Sequence, residues 1–390
     1  MQPNVLTTLF IIFTGSAVIA TLVLYTRQSL LVAYILLGII IGPYGLRWVS
    51  DSTLVTQASD LGIIFLLFLL GLNLHPQKLF HMLRKATLVA IISSLVFACA
   101  GYLVARLFHY NEVESLIVGA AMMFSSTIIG LKLLPTTILH HRHTGEVMIS
   151  ILLLQDILAI IVLLFVTGAS AKGLSWQDLL LFIISLPTLL IIGYLAQRYV
   201  LVKLLSYFDH VKEYIFLLSI GWCLCMAELA GFLGLSEEIG AFIAGVSLAA
   251  TPIALYISEN LKPLRDFFLT LFFFTIGAGF NLAYLPEVIM PALILAVITL
   301  AFKPALFSLL LRNIGEDAKV SWEVGVRLGQ SSEFSLLVAY LAVSVKNQLI
   351  GPSANYLIQA MTIITFIVSS YWVVLRYPTP LALTERMRRD

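Results

Sequence analysis

Charge is scarce in this chain. Asp, Glu, Lys and Arg make up 11% of its 390 residues, against roughly a quarter in a soluble domain, which excludes a freely soluble globular protein. Cysteine is scarcer: Cys99, Cys223 and Cys225 all lie in apolar runs, where a thiol behaves as a small hydrophobe. A lone Cys-x-Cys falls short of a metal-binding pattern, so neither a disulfide framework nor redox chemistry is expected. No acidic or basic tract accompanies the net charge of +2, which argues against nucleic acid as a partner. Every histidine falls in a loop or at the edge of an apolar run, so an intramembrane hydrolase would lack its Ser–His pair.

Apolar residues fill the space, at 60% of the chain and a mean hydropathy of +1.00. A bilayer span takes about 20 such residues. Apolar runs near 5–25, 29–46, 61–74, 87–108, 115–134, 147–168, 176–200, 214–232, 238–252, 266–283, 287–311, 322–345 and 354–375 predict an all-α polytopic membrane protein of about thirteen transmembrane helices. Met1-Gln2-Pro3-Asn4 lacks the basic region of a signal peptide, so the first run reads as a retained helix. Arg27, Arg84, Lys85, Lys203 and Arg312 fall with most other basic residues on one side, and only Arg47, Arg106, Lys172 and Lys346 on the other. The positive-inside rule then puts the N-terminus outside and the C-terminus in the cytoplasm. Residues 1–376 form one membrane domain, and 377–390 a short basic cytoplasmic tail.

Two runs are interrupted at corresponding places in the two halves. The fifth carries Met122-Met123-Phe124-Ser125-Ser126-Thr127-Ile128-Ile129-Gly130, and the twelfth Gly329-Gln330-Ser331-Ser332-Glu333-Phe334-Ser335. Small and hydroxyl residues at membrane depth allow a helix to unwind, because side chains can satisfy the freed backbone. Close helix packing through small residues is the plainer reading of either cluster alone. The pair together points to an inverted-repeat transporter with its site at the midplane.

Asp156 sits in the middle of the sixth run, after Gln155. An isolated carboxylate there costs about 2.5–3.5 kcal/mol, so it is protonated, paired or cation-bound. Proton and cation would compete for the same oxygens; Gln155, Ser125, Ser126 and Thr127 add neutral ones. The alternative is a packing carboxylic acid. Lys303 lies equally deep, and must pair with a carboxylate, offset the C-terminal end of a half-helix or snorkel. Glu333 could offset the positive end of the half-helix it begins, and Arg327 should form a structural pair. Glu237 and Glu238 read as a solvated mouth that mildly concentrates cations, while Glu228 lies deeper. His140-His141-Arg142-His143 reads as a solvated loop with a modest part in sensing pH as its alternative.

These residues resemble the monovalent cation–proton antiporter superfamily, in its branch of Kef-type potassium efflux systems and related sodium–proton exchangers. The matching stretches are Tyr34-Ile35-Leu36-Leu37-Gly38 through Gly42-Pro43-Tyr44-Gly45-Leu46, Leu67-Phe68-Leu69-Leu70-Gly71-Leu72, Phe124-Ser125-Ser126-Thr127, Gln155-Asp156, Gly240-Ala241-Phe242-Ile243-Ala244-Gly245 and Gly329-Gln330-Ser331-Ser332-Glu333-Phe334. The resemblance implies thirteen helices in two inverted repeats, with crossed discontinuous helices, core and dimerisation domains, a homodimer in the bacterial inner membrane, and elevator-like alternating access. It implies that Asp156 binds cation and proton in turn and that Lys303 is the family's basic residue. Members with two adjacent aspartates are typically electrogenic; Gln155 replaces the first here, as in Kef systems, which suggests an electroneutral exchange of potassium, with sodium as the alternative. No cofactor is implied: potassium or sodium and protons are the transported ions. A cytoplasmic nucleotide-binding regulatory domain often follows such a domain, and this sequence does not contain one. The segment Ile257-Ser258-Glu259-Asn260-Leu261-Lys262-Pro263 departs from the acidic Kef regulatory loop, with one carboxylate and an added lysine. A gated potassium channel is the rival class; a single buried carboxylate beside a lysine suits binding and release better than fast conduction.

Overall fold

A computed structural model describes residues 5–26, 28–49, 53–73, 76–132, 143–168, 176–208, 210–249, 251, 253–343 and 348–377. His140, His141, Arg142 and the tail from 378 lie outside them. Every regular element among the described residues is a helix, and none is a strand. In chain order the helices are α1 (Val5–Tyr25), α2 (Leu30–Ile41), α3 (Thr53–Asn73), α4 (Pro76–Leu107), α5 (Glu112–Met122), α6 (Thr127–Lys132), α7 (His143–Gly168), α8 (Trp176–Ala196) and α9 (Val202–Tyr207). They continue as α10 (Lys212–Phe232), α11 (Glu237–Ala249), α12 (Ala254–Ala278), α13 (Leu285–Val297), α14 (Lys303–Asn313), α15 (Ala318–Arg327), α16 (Glu333–Val343) and α17 (Pro352–Arg376). A π-helical turn, Gln197–Leu201, joins α8 to α9, and another, Ile298–Phe302, joins α13 to α14.

Eight helical stretches among these residues are long and apolar enough to cross a membrane, which makes this a multi-pass membrane protein. Several boundaries differ from the apolar runs for local reasons. The run 29–46 is helical only to Ile41, because Pro43 drives the residue before it out of the α region and Gly42 is extended, with φ −71° and ψ −176°. The chain then doubles back, with Leu46 N–H donating to the Ile40 carbonyl at 2.7 Å and Arg47 at a φ of 60°. Helices α3 and α4 begin at Thr53 and Pro76, earlier than their apolar windows, since hydropathy does not register a helix that continues through polar residues.

The helices pack as two sets. One contains α1, α2, α3, α8, α10, α11 and α12; the other contains α4, α5, α7, α13, α14, α15, α16 and α17. Helix α2 crosses α12 so closely that a Cβ on Gly38 would strike the Phe274 carbonyl, and one on Gly277 the Ile35 carbonyl. Helices α3 and α11 cross in the same manner, through Gly71 against the Phe242 carbonyl and Gly245 against the Phe68 carbonyl. Backbones in such contact gain dispersion energy that larger side chains would forbid.

In the second set, Asn111 and Glu114 form a capping box at the start of α5, with Asn111 N–H donating to the Glu114 carboxylate at 3.1 Å and Glu114 N–H to Asn111 Oδ1 at 2.8 Å. Glu114 also accepts from Gly351 N–H at 3.1 Å, which ties the start of α5 to that of α17. Helices α14 and α15 meet where a Cβ on Gly325 would press on the Pro304 backbone. Gly245→Val forces two backbones apart and should destabilise the fold by about 1–3 kcal/mol, the usual cost of overpacking. The expected outcome is a lower temperature of aggregation in detergent, followed by size-exclusion chromatography of heated samples.

Candidate functional site

Helix α5 ends at Met122, α6 begins at Thr127, and the residues between them are not helical. The second break separates Arg327, at the end of α15, from Glu333, at the start of α16. Both anticipated interruptions are therefore present, and they face one another. Ser125 Oγ donates to the Leu328 carbonyl at 2.8 Å, Gln330 Nε2 to the Ser126 carbonyl at 3.5 Å, and Ser335 Oγ to the Ala121 carbonyl.

Lys303 holds the two breaks together. Fully buried, it donates from Nζ to the Phe124 carbonyl at 2.7 Å, the Gln330 carbonyl at 3.2 Å and the Met122 carbonyl at 3.5 Å. Its ammonium also lies 5.4 Å from the centre of the Phe97 ring, a cation–π contact. Of the three settings open to a deep lysine, the structure shows the half-helix end: the cation sits where the carbonyls of α5 run out, the negative pole of that helix. Its position follows from the π-turn before it and Pro304 after it, since proline supplies no N–H and disturbs the regular ladder.

Asp156, 2% exposed, projects from the middle of α7. Thr127 Oγ1, at the start of α6, donates to its Oδ1 at 3.1 Å and lies 3.5 Å from Oδ2. Glu333 opens α16, where its carboxylate meets the positive pole of that helix and acts on Asp156 through space. Ser126 Oγ accepts from Ile129 N–H at 3.1 Å and so caps α6. Gln155, one residue before Asp156, turns its amide to the first break: Ser125 N–H donates to Oε1 at 3.1 Å, and Nε2 donates to the Met123 carbonyl at 3.4 Å. The six expected side chains thus converge with Lys303 on the two breaks; Asp156 and Thr127 form the carboxylate–hydroxyl pair, while Gln155, Ser125 and Ser126 also satisfy backbone.

Several residues belong here that the sequence reading did not single out as site residues. Gln330 bridges the breaks and accepts from Ser369 Oγ at 3.0 Å, and Thr365 Oγ1 accepts from Ser331 N–H at 3.2 Å. Their signal was the series Thr362, Thr365, Ser369 and Ser370 on one side of the apolar α17, at helical spacing. Ser331 Oγ and Thr362 Oγ1 are buried without a hydrogen-bond partner among the described residues, which leaves polar capacity beside the second break.

The other charges lie outside the two breaks. Arg327 donates to Glu323 Oε1 from Nε at 3.0 Å and Nη2 at 2.9 Å, with its guanidinium 5.2 Å from the Tyr377 ring centre, the structural pair expected for it. Glu228 lies on an exposed face of α10, Glu237 is exposed and Glu238 half-buried at the start of α11. His143 meets Glu316 Oε2 at 2.6 Å. Lys262 pairs with Glu259, within the segment that departs from the Kef loop.

Two facing helix breaks around a buried carboxylate define a secondary transporter. The fold is shared with the sodium proton antiporter MjNhaP1 of Methanocaldococcus jannaschii, with a TM-score of 0.72 over 94% of this chain and 95% of that one, at 16% identity. Residues 9–375 match the transmembrane sodium/hydrogen exchanger family, and the chain belongs to that family. It is a transporter, not an enzyme, of the monovalent cation–proton antiporter superfamily. Among its relatives, the iron transporter MagA of Paramagnetospirillum magneticum is 25% identical over 348 residues, covering 89% of this chain and 80% of that one. K(+) efflux antiporter 5 of Arabidopsis thaliana is 31% identical over 326 residues, and K(+) efflux antiporter 6 is 30% identical over 321. Each of these alignments takes in 80% of this chain but 56% and 53% of the plant proteins, so the chain spans a little over half their length.

Lys303→Gln leaves three carbonyls short of a charged donor. It should lower thermal stability by about 1.5–3 kcal/mol, the range of a hydrogen bond to a charged group, and shift the pH profile of transport more than it lowers the maximal rate. Melting curves and proton flux measured on the same preparation check both parts.

Proposed function

We propose that this chain exchanges a monovalent cation for protons at Asp156, with potassium as the cargo. The observation that carries the reading is the buried Asp156 carboxylate bonded to Thr127 between two helix breaks, in a member of the exchanger family. A carboxylate with neutral oxygen neighbours suits a proton or a hard monovalent cation, and one site cannot hold both. Resemblance at about 30% identity to K(+) efflux antiporters favours potassium, while the family description and the fold neighbour name sodium, the second candidate.

The mechanism is elevator-like alternating access in a homodimer. The two helix sets support it: one is locked by glycine contacts between backbones, and the other carries both breaks with Asp156 and Lys303. The helical elements also support thirteen spans in two inverted repeats. The eight long apolar stretches, with α2, α11, α12 and the two broken pairs α5–α6 and α15–α16, make up that number. An inverted two-fold would relate Gly38–Gly277 to Gly245–Gly71, which the reciprocal contacts favour. Residues 1–376 act as one exchanger domain in a bacterial inner membrane, with the N-terminus outside and the C-terminus in the cytoplasm. Lys303 and Glu333 compensate the ends of the half-helices.

Asp156→Asn keeps the shape and removes the titrating charge, so it should abolish exchange in proteoliposomes while leaving folding intact; near-parental proton flux would remove Asp156 from the cycle. In the parent protein, competition at one carboxylate predicts an apparent cation affinity that weakens about tenfold per pH unit once the proton-bound form dominates. Flux assays with potassium, sodium, rubidium or lithium supplied separately measure that dependence and identify the cargo. One proton exchanged for one cation moves no net charge, whereas each uncompensated charge is worth about 2.3 kcal/mol per 100 mV. Solid-supported membrane recordings should therefore show little steady current. A proton-coupled current would bring in a second titrating group, and a current of cation alone would mark a channel.

A further inference from the structure

The two helix sets meet along an apolar seam, in which Ile35, Leu67 and Phe273 of one pack in the same cluster as Ala159, Leu337 and Met361 of the other. Such a seam has no directional preference and can slide. Hydrogen bonds that cross it include Gln28 Nε2 to the Ile367 carbonyl at 3.3 Å and Tyr356 Oη to the Gly279 carbonyl at 3.1 Å, both of which end on backbone. A third joins two side chains: Tyr340 Oη of α16 donates to Asp60 Oδ1 of α3 at 2.8 Å.

The place of this bond gives it meaning. Tyr340 stands seven residues, two turns, beyond Glu333 on the half-helix that leaves the second break, so it is rigidly tied to the site. Its ring packs edge-on against Phe272 of α12, with centroids 6.1 Å apart. Asp60 lies two turns before Leu67 on α3. Glu237 acts through space on Asp60, and Glu238 on Tyr340, which places all four groups at one end of the bundle. From that end a narrow pocket leads inward, with Ser236 and Glu238 at its lip and Leu67 and Phe242 on one wall. Its other wall is Ile160, Leu163, Leu164 and Thr167 of α7, which continue at helical spacing the face that bears Asp156. The pocket volume is about 10 Å³, at the lower limit of the roughly 10–15 Å³ that one water needs. Most of the side chains that line this pocket are apolar, and the Tyr340–Asp60 bond crosses the same seam at the Glu238 end.

We propose that the Tyr340–Asp60 hydrogen bond is a latch across the seam: it holds the Glu238 end of the pathway closed and breaks when that end opens. A sliding apolar seam supplies the freedom to move, and the bond biases which position is occupied. The proposal rests on the alternating-access reading but not on Asp156 as the carrier.

The test replaces Cys99, Cys223 and Cys225 with alanine and introduces Thr167→Cys as a reporter inside the pocket. A membrane-impermeant maleimide then reads how often that end is open. Tyr340→Phe keeps the ring against Phe272 and loses only the donor; Asp60→Ala loses the acceptor. Each should raise the labelling rate about five-fold, the population shift that loss of one ordinary hydrogen bond brings. The double variant should label no faster than either single variant, because both remove the same bond, and Asp60→Asn, which retains an acceptor oxygen, should stay near the parent. Unchanged labelling in both single variants, or effects that multiply in the double, would overturn the latch. Labelling needs no transport, so the same series in an Asp156→Asn background separates failure of the latch from failure of the carboxylate assignment.

Discussion

Inside a bilayer no water is at hand for a backbone amide or carbonyl that leaves a helix, and the second helix set is arranged around that constraint. Interrupting two helices at depth frees carbonyls at Met122, Met123 and Phe124 and again at Leu328 and Gln330. One ammonium answers Met122, Phe124 and Gln330, the Gln155 amide answers Met123, and the Ser125 hydroxyl answers Leu328. Lys303 is stable at full burial because it faces the negative poles that the breaks create, and the breaks are stable because a buried charge meets them. Each offsets part of the other's cost at that depth.

The same economy explains which parts of the site were legible in the sequence. A lone Asp156 in an apolar run and two clusters of small and hydroxyl residues violate the pattern of a lipid-facing helix, so they stand out without any structure. The depth of Lys303 was equally visible, but its setting was not: a carboxylate partner and a half-helix end fit the same spacing. Only the fold brings residue 303 to carbonyls nearly 180 positions away. Gln155 looked like a neutral neighbour of Asp156, and its service to the first break depends on a side-chain direction that periodicity does not encode. Helix lengths escaped for another reason. Apolar windows mark the stretch that lipid requires, whereas α3 and α4 continue beyond it through polar residues, and α2 stops early at a Gly-Pro pair.

The two helix sets hold together by opposite means. In the first, Gly38, Gly71, Gly245 and Gly277 bring backbones into direct contact, and cohesion comes from many weak contacts that tolerate no added atom. In the second, cohesion near the breaks comes from a few directional bonds among groups that have nowhere else to go. Between them lies a largely apolar seam, crossed by a few hydrogen bonds. A close-packed frame, a polar cartridge and an apolar joint are three different kinds of cohesion within one bundle.

Gln155 uses its amide at both ends, accepting from Ser125 N–H and donating to the Met123 carbonyl. A carboxylate in its place could accept as before but has no proton to donate when ionised. Placing a second charge beside Asp156 would therefore unsettle the very turn that frames the site. A second carboxylate at residue 155 would cost the first break one of its donors, and a chain that acquired it would have to supply the Met123 carbonyl with a new partner at the same time, a two-step path with a weakened intermediate.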